Sequence, residues 1–165
     1  MESLFFWVET SPLSVWSRES TSIFAFPSFL IVHAIGMALV AGMNAAIDLR
    51  ILGMAPRVPL TQMKRFVPFI WAGFWLCVVS GIILLIAYPT KALTNPVFWA
   101  KLTFVALGLV QLRLIDRRLL RDVDFDTRPV PRRGRLLAFG SLACWVGAIG
   151  TGRFLAYTYV TLMTA

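Results

Sequence analysis

A stripe of polar side chains follows one predicted helix in the first third of the chain. It begins with His33, the only histidine among the 165 residues, and continues through Met37, Asn44 and Asp48 at helical spacing. Residues three or four positions apart lie on the same face of a helix. An imidazole or amide in hydrocarbon is costly unless it has a hydrogen-bond partner. We therefore expect His33, Met37 and Asn44 to share a face that points towards other helices.

Lys101 and Arg153 form the second feature with possible chemistry. Each lies about five residues inside an apolar stretch, roughly 7–8 Å deep at 1.5 Å per residue. Both side chains can extend to the membrane surface, which is the more ordinary arrangement. If they face inward instead, they form a cationic pocket with His33, Met37 and Asn44 in its deeper part. Such a ligand site suits a quinone, haem propionates or another amphipathic acid.

His33 has two interpretations of its own. A neutral histidine can join two helices and fix their register, with Ser80, Lys101 or Thr103 as partners at a similar depth. It can also act as a metal ligand, because imidazole is a common axial ligand of haem iron. A second axial histidine does not exist here, and Met37 lies on the same helix face as His33. Haem b and quinone both remain open, and neither is favoured over the absence of a cofactor.

Two further motifs resemble ligand loops but lack the residues that such loops need. The segment 147–152, GAIGTG, follows no strand and has no phosphate-binding lysine. Asp122, Asp124 and Asp126 alternate as in a calcium loop, yet the required glycine position is Thr127. The chain also offers no nucleophile–base pair and no carboxylate dyad, which favours a non-enzymatic role.

The composition indicates which elements must position these residues. Hydrophobic residues make up 58% of the chain and charged residues 15%, whereas a soluble domain has roughly 25% charged residues. A helix needs about 20 apolar residues to span a bilayer. Four stretches are long enough: about 22–47, 66–88, 96–115 and 136–158. We predict an all-α polytopic membrane protein, with residues 1–165 forming a single four-helix transmembrane bundle.

Small residues recur at helical spacing within these stretches. In a membrane the hydrophobic effect does not drive helices together, so association depends on close packing. Glycines at such positions let two helix backbones approach closely. The glycines that we predict at helix–helix contacts are Gly36, Gly73, Gly81, Gly140 and Gly147.

The first 20 residues precede the first long apolar stretch. They contain leucine and aromatic residues together with charged ones, which is typical of a short helix lying in the outer membrane interface. Ser11 followed by Pro12 can begin a helical turn, because proline is tolerated at the first helical position.

The net charge of +8 is concentrated in two links between predicted spans. Twelve of the sixteen lysines and arginines lie there: Arg50, Arg57, Lys64, Arg65, Arg113, Arg117, Arg118, Arg121, Arg128, Arg132, Arg133 and Arg135. Short basic links stay on the cytoplasmic side, so we expect both termini in the periplasm. Nucleic-acid binding is not expected, because the links lack the interleaved aromatic or groove-reading residues of such surfaces.

Several segments resemble a known family. LSVWSRES, HAIGMALVAG, DLRILGMAP and YPTKALTNPVFWAKL are similar to segments of a family of uncharacterised bacterial four-helix inner-membrane proteins, known only as a domain of unknown function. The resemblance implies a bacterial inner-membrane location and no particular activity. The architecture is also similar to that of four-helix membrane cytochromes and copper-resistance membrane proteins, although the multiple histidines of those proteins are absent here.

Two classes of function follow. The first is a non-catalytic membrane subunit or scaffold, whose glycine-lined helices and N-terminal segment bind another membrane protein, a periplasmic protein or a second copy. The second is a redox or small-ligand membrane protein that binds haem or quinone in a pocket around His33. The lack of catalytic sets favours the first class, and the polar residues within the predicted spans favour the second.

Overall fold

The computed structural model describes residue 7 and the ranges 10–20 and 26–161, and these are helical throughout except for short connections. The α-helices are α1 (Pro12–Glu19), α2 (Phe26–Leu52), α3 (Leu60–Met63), α4 (Val67–Ala87), α5 (Pro89–Leu93), α6 (Pro96–Ile115) and α7 (Arg132–Thr161). A 3-10 turn, Lys64–Phe66, joins α3 to α4, and a second one, Val123–Asp126, precedes α7. The π-helical segment Asp116–Leu120 extends α6.

Four helical segments are long and apolar enough to cross a membrane: Phe26–Leu52, Leu60–Ala87, Pro96–Leu120 and Arg132–Leu155. They confirm the predicted all-α architecture with four transmembrane helices, and the chain is a multi-pass membrane protein. We refer to these segments as spans one to four. At the link side, all four spans extend several residues beyond the predicted limits, because helix continues through polar residues that hydropathy assigns to the links.

Span one shows why its helix extends past residue 47. Asp48 is fully buried against other helices and does not terminate the span. The helix ends at Leu52, and the next residue, Gly53, has a φ of +108°, a left-handed conformation that favours glycine. The Met54 N–H donates to the Leu49 carbonyl at 3.0 Å, as in a Schellman C-cap.

Span three begins and ends with local signals of different kinds. The Asn95 side chain accepts a hydrogen bond from the Val97 N–H at 2.9 Å, and Pro96 is the first helical residue. At its other end, the wide π turn places two consecutive leucines, Leu119 and Leu120, in the core. The neighbouring Arg118 is exposed, so this turn separates a buried apolar face from a charged one.

The spans pack as two helical hairpins. α2 packs against α4 and α6 packs against α7, while α2 and α7 join the two hairpins. The α2–α4 contact is close, because a β-carbon built on Gly73 would lie 2.9 Å from the Gly36 carbonyl oxygen. The two backbones therefore touch at this point.

Both arginine-rich links lie at the same end of the bundle, which we call the link end. Asp126 accepts hydrogen bonds from the Thr61 N–H at 3.0 Å and from the Thr61 hydroxyl at 2.6 Å. These bonds hold the pKa of the Asp126 carboxyl below its ordinary value. Within the first link, the Arg50 guanidinium donates to the carbonyls of Val58 and Pro56. The side of the membrane on which this end lies stays a prediction.

The helical start predicted at Ser11 and Pro12 is the beginning of α1. The Ser11 hydroxyl accepts a hydrogen bond from the Ser14 N–H at 3.3 Å, and the buried Ser14 hydroxyl donates to the Ala87 carbonyl at 3.5 Å. α1 therefore packs against the end of span two. Residues 1–6, 8 and 9 of the predicted interfacial segment lie outside the described residues, and its position in the interface stays a prediction.

Candidate functional site

Three spans bring His33, Ser80 and Lys101 together at the end of the bundle opposite the link end. The His33 Nδ1 atom lies 3.0 Å from the Ser80 Oγ atom of span two. Its Nε2 atom lies 3.4 Å from the Lys101 Nζ atom of span three. We call these three residues the His33 site. Both ring nitrogens face polar groups of other helices, as expected for an imidazole within a membrane.

The hydrogen bonds of Ser80 indicate which ring nitrogen carries the proton. The Ser80 hydroxyl lies 2.6 Å from the Leu76 carbonyl, so its one hydrogen is used there. The Ser80 oxygen must then accept from His33 Nδ1–H. In the neutral ring this leaves a lone pair on Nε2, which accepts from the Lys101 amine. The chain of donors therefore runs from Lys101 through His33 and Ser80 to the backbone of span two.

Two glycines make room for this arrangement. A β-carbon on Gly81 would lie 3.4 Å from the His33 Cε1 atom, and one on Gly152 would lie 3.6 Å from the Lys101 Cε atom. Gly81 therefore adjoins the imidazole from span two, and Gly152 adjoins the lysine stem from span four. All four spans meet at the His33 site.

The charge of Lys101 is not matched by a carboxylate within residues 26–161. The ion pairs of that range are Arg121 with Asp116 and Arg128 with Asp124, and all four residues belong to the link end. An ammonium ion in a low-dielectric environment is stabilised strongly by a neighbouring negative charge or oxygen acceptor. Among the described residues, Lys101 contacts the imidazole of His33, which is a neutral acceptor.

The structure separates the residues that the sequence analysis grouped into one pocket. Lys101 turns inward to His33, whereas Arg153 is exposed on span four. Met37 is half-buried one turn beyond His33. Thr103 is exposed and donates to the Trp99 carbonyl of its own helix. The His33 site therefore contains one of the two predicted cations.

Asn44 belongs to a second polar group nearer the link end. Its side-chain nitrogen donates to the Asp48 Oδ2 atom at 3.0 Å and to the Ser141 Oγ atom at 2.7 Å. Asn44, Asp48 and Ser141 are all fully buried, and we call them the Asn44 cluster. They join span one to span four. The sequence analysis missed Ser141, because its only signal is a position one turn before Cys144 among the small residues of span four.

Four buried polar atoms in the described part of the chain have no hydrogen-bond partner, and they surround the same stretch of span four. They are Asn44 Oδ1, Asp48 Oδ1, Gln111 Oε1 and Trp145 Nε1. Such atoms are rare in folded proteins and cost free energy when left unpaired. The interior of the bundle near the Asn44 cluster therefore contains polar atoms whose hydrogen-bonding capacity the described residues do not use.

The geometry of the His33 site suits the predicted ligands unequally. Haem ligation through His33 would require the Nε2 lone pair, which faces Lys101. Within the described residues, no group of three or more His, Cys, Asp or Glu side chains could hold a metal ion. A head group with an oxygen acceptor fits better, because the Lys101 amine can donate to it and keep its place beside His33.

Each predicted packing glycine faces a neighbouring span. Gly36 and Gly73 meet each other, and Gly81 adjoins the His33 ring. Gly140 lies against the Gln111 side chain, and Gly147 lies against the ring of Phe104 on span three, where an added β-carbon would come within 2.9 Å. These contacts are all made within one chain.

Comparison with known proteins gives one match. The sequence matches no curated protein and no solved structure. A family profile covers residues 4–158, nearly the whole chain. The predicted resemblance to an uncharacterised family is confirmed by that match, and the chain belongs to the family of unknown function DUF6644.

Proposed function

We propose that this protein binds an amphipathic small molecule within the membrane, and that the head group of the ligand presents an oxygen acceptor to Lys101. The observation that carries the proposal is the inward position of Lys101, which lies 3.4 Å from His33 and has no carboxylate partner in residues 26–161. A carboxylate or a quinone carbonyl supplies the acceptor that the ammonium lacks.

The position of the site within the bundle supports a ligand that is apolar apart from its head group. Lys101 and His33 each lie within two turns of the end of their helices opposite the link end. The nearby lipid-facing surface carries large apolar side chains such as Ile31 and Ile35. A ligand with a hydrocarbon tail can therefore reach the head-group site from the bilayer, as in other membrane sites built from a few polar groups in apolar surroundings.

Ligand titration of the protein in lipid nanodiscs tests this function, with a ubiquinone analogue and a long-chain fatty acid as separate probes. Lys101→Met should weaken binding of the preferred probe by roughly tenfold to a hundredfold, the equivalent of one charge-assisted hydrogen bond. Arg153→Met is the matched control, because it removes an exposed cation of span four and should leave the affinity unchanged. Failure of the unsubstituted protein to bind either probe would refute the proposal.

A second function, helix association with a partner, is supported by a separate feature of span one. Ala34, Ala38, Gly42 and Ala46 occur every fourth residue and are all exposed. A β-carbon on Gly42 would meet no atom within 4 Å. Small residues at this spacing let another transmembrane helix approach closely. The partner would be a second copy of this chain or another membrane protein.

Substitution of the stripe distinguishes association from simple lipid exposure. Gly42→Leu adds an apolar side chain in open space, so it should leave the monomer folded and reduce association. Val79→Leu, at an exposed position of span two, is the control. Cross-linking in native membranes should show a dimer or a mixed complex that Gly42→Leu reduces and Val79→Leu retains. If the unsubstituted protein and Val79→Leu are both monomeric, this second function is refuted.

We further propose that the protein resides in a bacterial inner membrane with both termini in the periplasm. The support is the position of both arginine-rich links at one end of the bundle, together with the tendency of short basic links to stay cytoplasmic. Reporter fusions test the orientation. A reporter that is active only in the cytoplasm should be inactive at the C-terminus and active when inserted near Arg128.

A further inference from the structure

A cleft opens between spans three and four at the link end, far from the His33 site. Its volume is about 460 Å³, and it is lined by Gln111, Arg118, Arg133, Leu136, Leu137 and Gly140. Gln111 and Arg118 are seven residues apart, as are Arg133 and Gly140, so each pair follows one side of its helix over two turns. The cleft therefore runs along the helices for roughly 10 Å.

Polarity changes along the cleft in one direction. Arg118 and Arg133 line the end of the cleft nearest the links, which we call its mouth, and Leu136 and Leu137 line it one turn further along span four. At the deep end, the Gln111 amide nitrogen donates to the Cys144 sulfur at 3.4 Å. Gly140 leaves space for that side chain, because a β-carbon there would lie 2.8 Å from the Gln111 Oε1 atom. The cleft is thus charged at its mouth and largely apolar along its length.

The two arginines at the mouth have no acidic partner in the described ranges. Asp116, the nearest acidic residue in sequence, pairs with Arg121 at 2.9 Å, and Asp124 pairs with Arg128 at 3.2 Å. Two unpaired guanidinium groups lining one opening favour an anion, and their planar donor sets match phosphate oxygens well.

The wall of the cleft distinguishes a lipid from a soluble anion. Leu136 is 61% exposed, and Phe139 on the next turn is 66% exposed. Both belong to the surface of span four that faces the bilayer. A molecule whose phosphate lies between the arginines therefore has hydrocarbon contact available directly beside it. A free phosphate would leave this apolar wall unused.

We propose that this cleft is a binding site for an anionic phospholipid, with the phosphate between Arg118 and Arg133 and an acyl chain along Leu136. The site is independent of the ligand proposed at His33, because it lies at the opposite end of the bundle and shares no residue with the His33 site. Basic pockets between transmembrane helices are suited to such head groups.

Lipid titration monitored by native mass spectrometry tests the proposal on the full chain in detergent. Phosphatidylglycerol should bind more tightly than phosphatidylcholine. The double substitution Arg118→Gln with Arg133→Gln should weaken phosphatidylglycerol binding by roughly thirtyfold, if each arginine contributes as cations near anionic lipid usually do. The matched control is Arg117→Gln with Arg132→Gln, which removes the same charge from exposed neighbours that do not line the cleft and should weaken binding much less than the cleft double variant.

Further experiments distinguish a lipid phosphate from a soluble phosphate and test whether each variant is folded. Excess inorganic phosphate should not displace the lipid, and Leu136→Gln should weaken lipid binding while both arginines remain. Far-UV circular dichroism establishes that each variant is folded. Equal losses in the two double variants would overturn the proposal in favour of general surface charge. Displacement by inorganic phosphate would overturn it in favour of a soluble anion. Equal binding of phosphatidylglycerol and phosphatidylcholine would show that the cleft does not select an anionic lipid, which would also overturn the proposal.

Discussion

The Lys101 amine of span three lies 3.4 Å from the Nε2 atom of His33 on span one, and this contact defines the candidate ligand site. The ammonium donates and the imidazole accepts, because the other ring nitrogen is used by Ser80. Replacement of His33 tests the role of this contact in stability. His33→Gln should retain the fold, since an amide can also donate and accept.

His33→Leu should be more destabilising than His33→Gln. It removes the acceptor that His33 offers to Lys101 and the donor that it offers to Ser80, at a cost of about 1–3 kcal/mol for an unsatisfied buried group. The measurement is the free energy of unfolding in mixed micelles, with Met37→Leu as a control of similar location. Equal stability of the Gln and Leu variants would show that the hydrogen bonds of His33 contribute nothing to the fold.

The Gly36–Gly73 contact predicts a sharp difference between two glycine substitutions. Gly73→Ala places a β-carbon 2.8 Å from the Leu39 Cβ atom and 2.9 Å from the Gly36 carbonyl, so spans one and two must separate. We expect a loss of about 1–3 kcal/mol in the free energy of unfolding, as in other overpacked sites. Gly42→Ala is the control, because its β-carbon meets open space. A similar effect of the two changes would contradict the close packing.

Ser141 should matter to stability although no motif indicates it. Ser141→Ala leaves one hydrogen of the buried Asn44 amide without its acceptor at 2.7 Å. The expected cost is about 1–3 kcal/mol. Thr103→Val also removes a hydroxyl group, but at an exposed position, and should have little effect. Thermal unfolding of both variants in the same detergent compares them, and an unchanged Ser141→Ala protein would exclude a stabilising role for the Asn44 cluster.

The fold was largely predictable from the sequence, because hydropathy reports directly on span length. Span three begins at its predicted residue, since Asn95 and Pro96 form a recognisable helix start. The link ends agree less well. Span one continues to Leu52 because Asp48 is buried within the bundle. The hydrogen bond between Asn44 and Ser141 joins residues 97 positions apart and is not encoded in any local pattern.

The candidate site was predictable only in part. Helical periodicity placed His33 towards the other spans. Depth alone gave Ser80, Lys101 and Thr103 as candidate partners, of which Ser80 and Lys101 contact the ring. Periodicity could not decide whether Lys101 or Arg153 turns inward, because both lie at a similar depth. Gly152 leaves space beside the Lys101 stem, whereas Arg153 is the next residue and points to the exposed side of span four. That difference depends on how the helices are rotated in the bundle.

The hydrogen bonds between Thr61 and Asp126 join the two links. They predict that the stability of the protein depends on pH in the acidic range. Hydrogen bonds from Thr61 lower the pKa of the Asp126 carboxyl from its ordinary value of 3.8. The stability that they contribute is therefore fully present above pH 3.8 and is lost as the pH falls through the lower folded-state pKa. Thr61→Val should be less stable than the unsubstituted protein above that pH, and the difference should shrink below it.

Thermal unfolding at several pH values measures this difference. Asp124→Asn is the control, because Asp124 is exposed and pairs with Arg128 at 3.2 Å on its own segment, so its loss should leave the dependence on Thr61 intact. A difference between Thr61→Val and the unsubstituted protein that grows as the pH falls would contradict the contact.

Histidine-selective nitrogen NMR tests the central claim most directly, because His33 is the only histidine in the chain and gives the only imidazole signals. In the protein without added ligand, we predict a protonated Nδ1 and an unprotonated Nε2. Titration with the ubiquinone analogue or the fatty acid should shift the Nε2 resonance in the unsubstituted protein and in Arg153→Met, and should not shift it in Lys101→Met. A protonated Nε2, or a His33 signal that neither probe moves, would contradict a ligand site formed by His33 and Lys101.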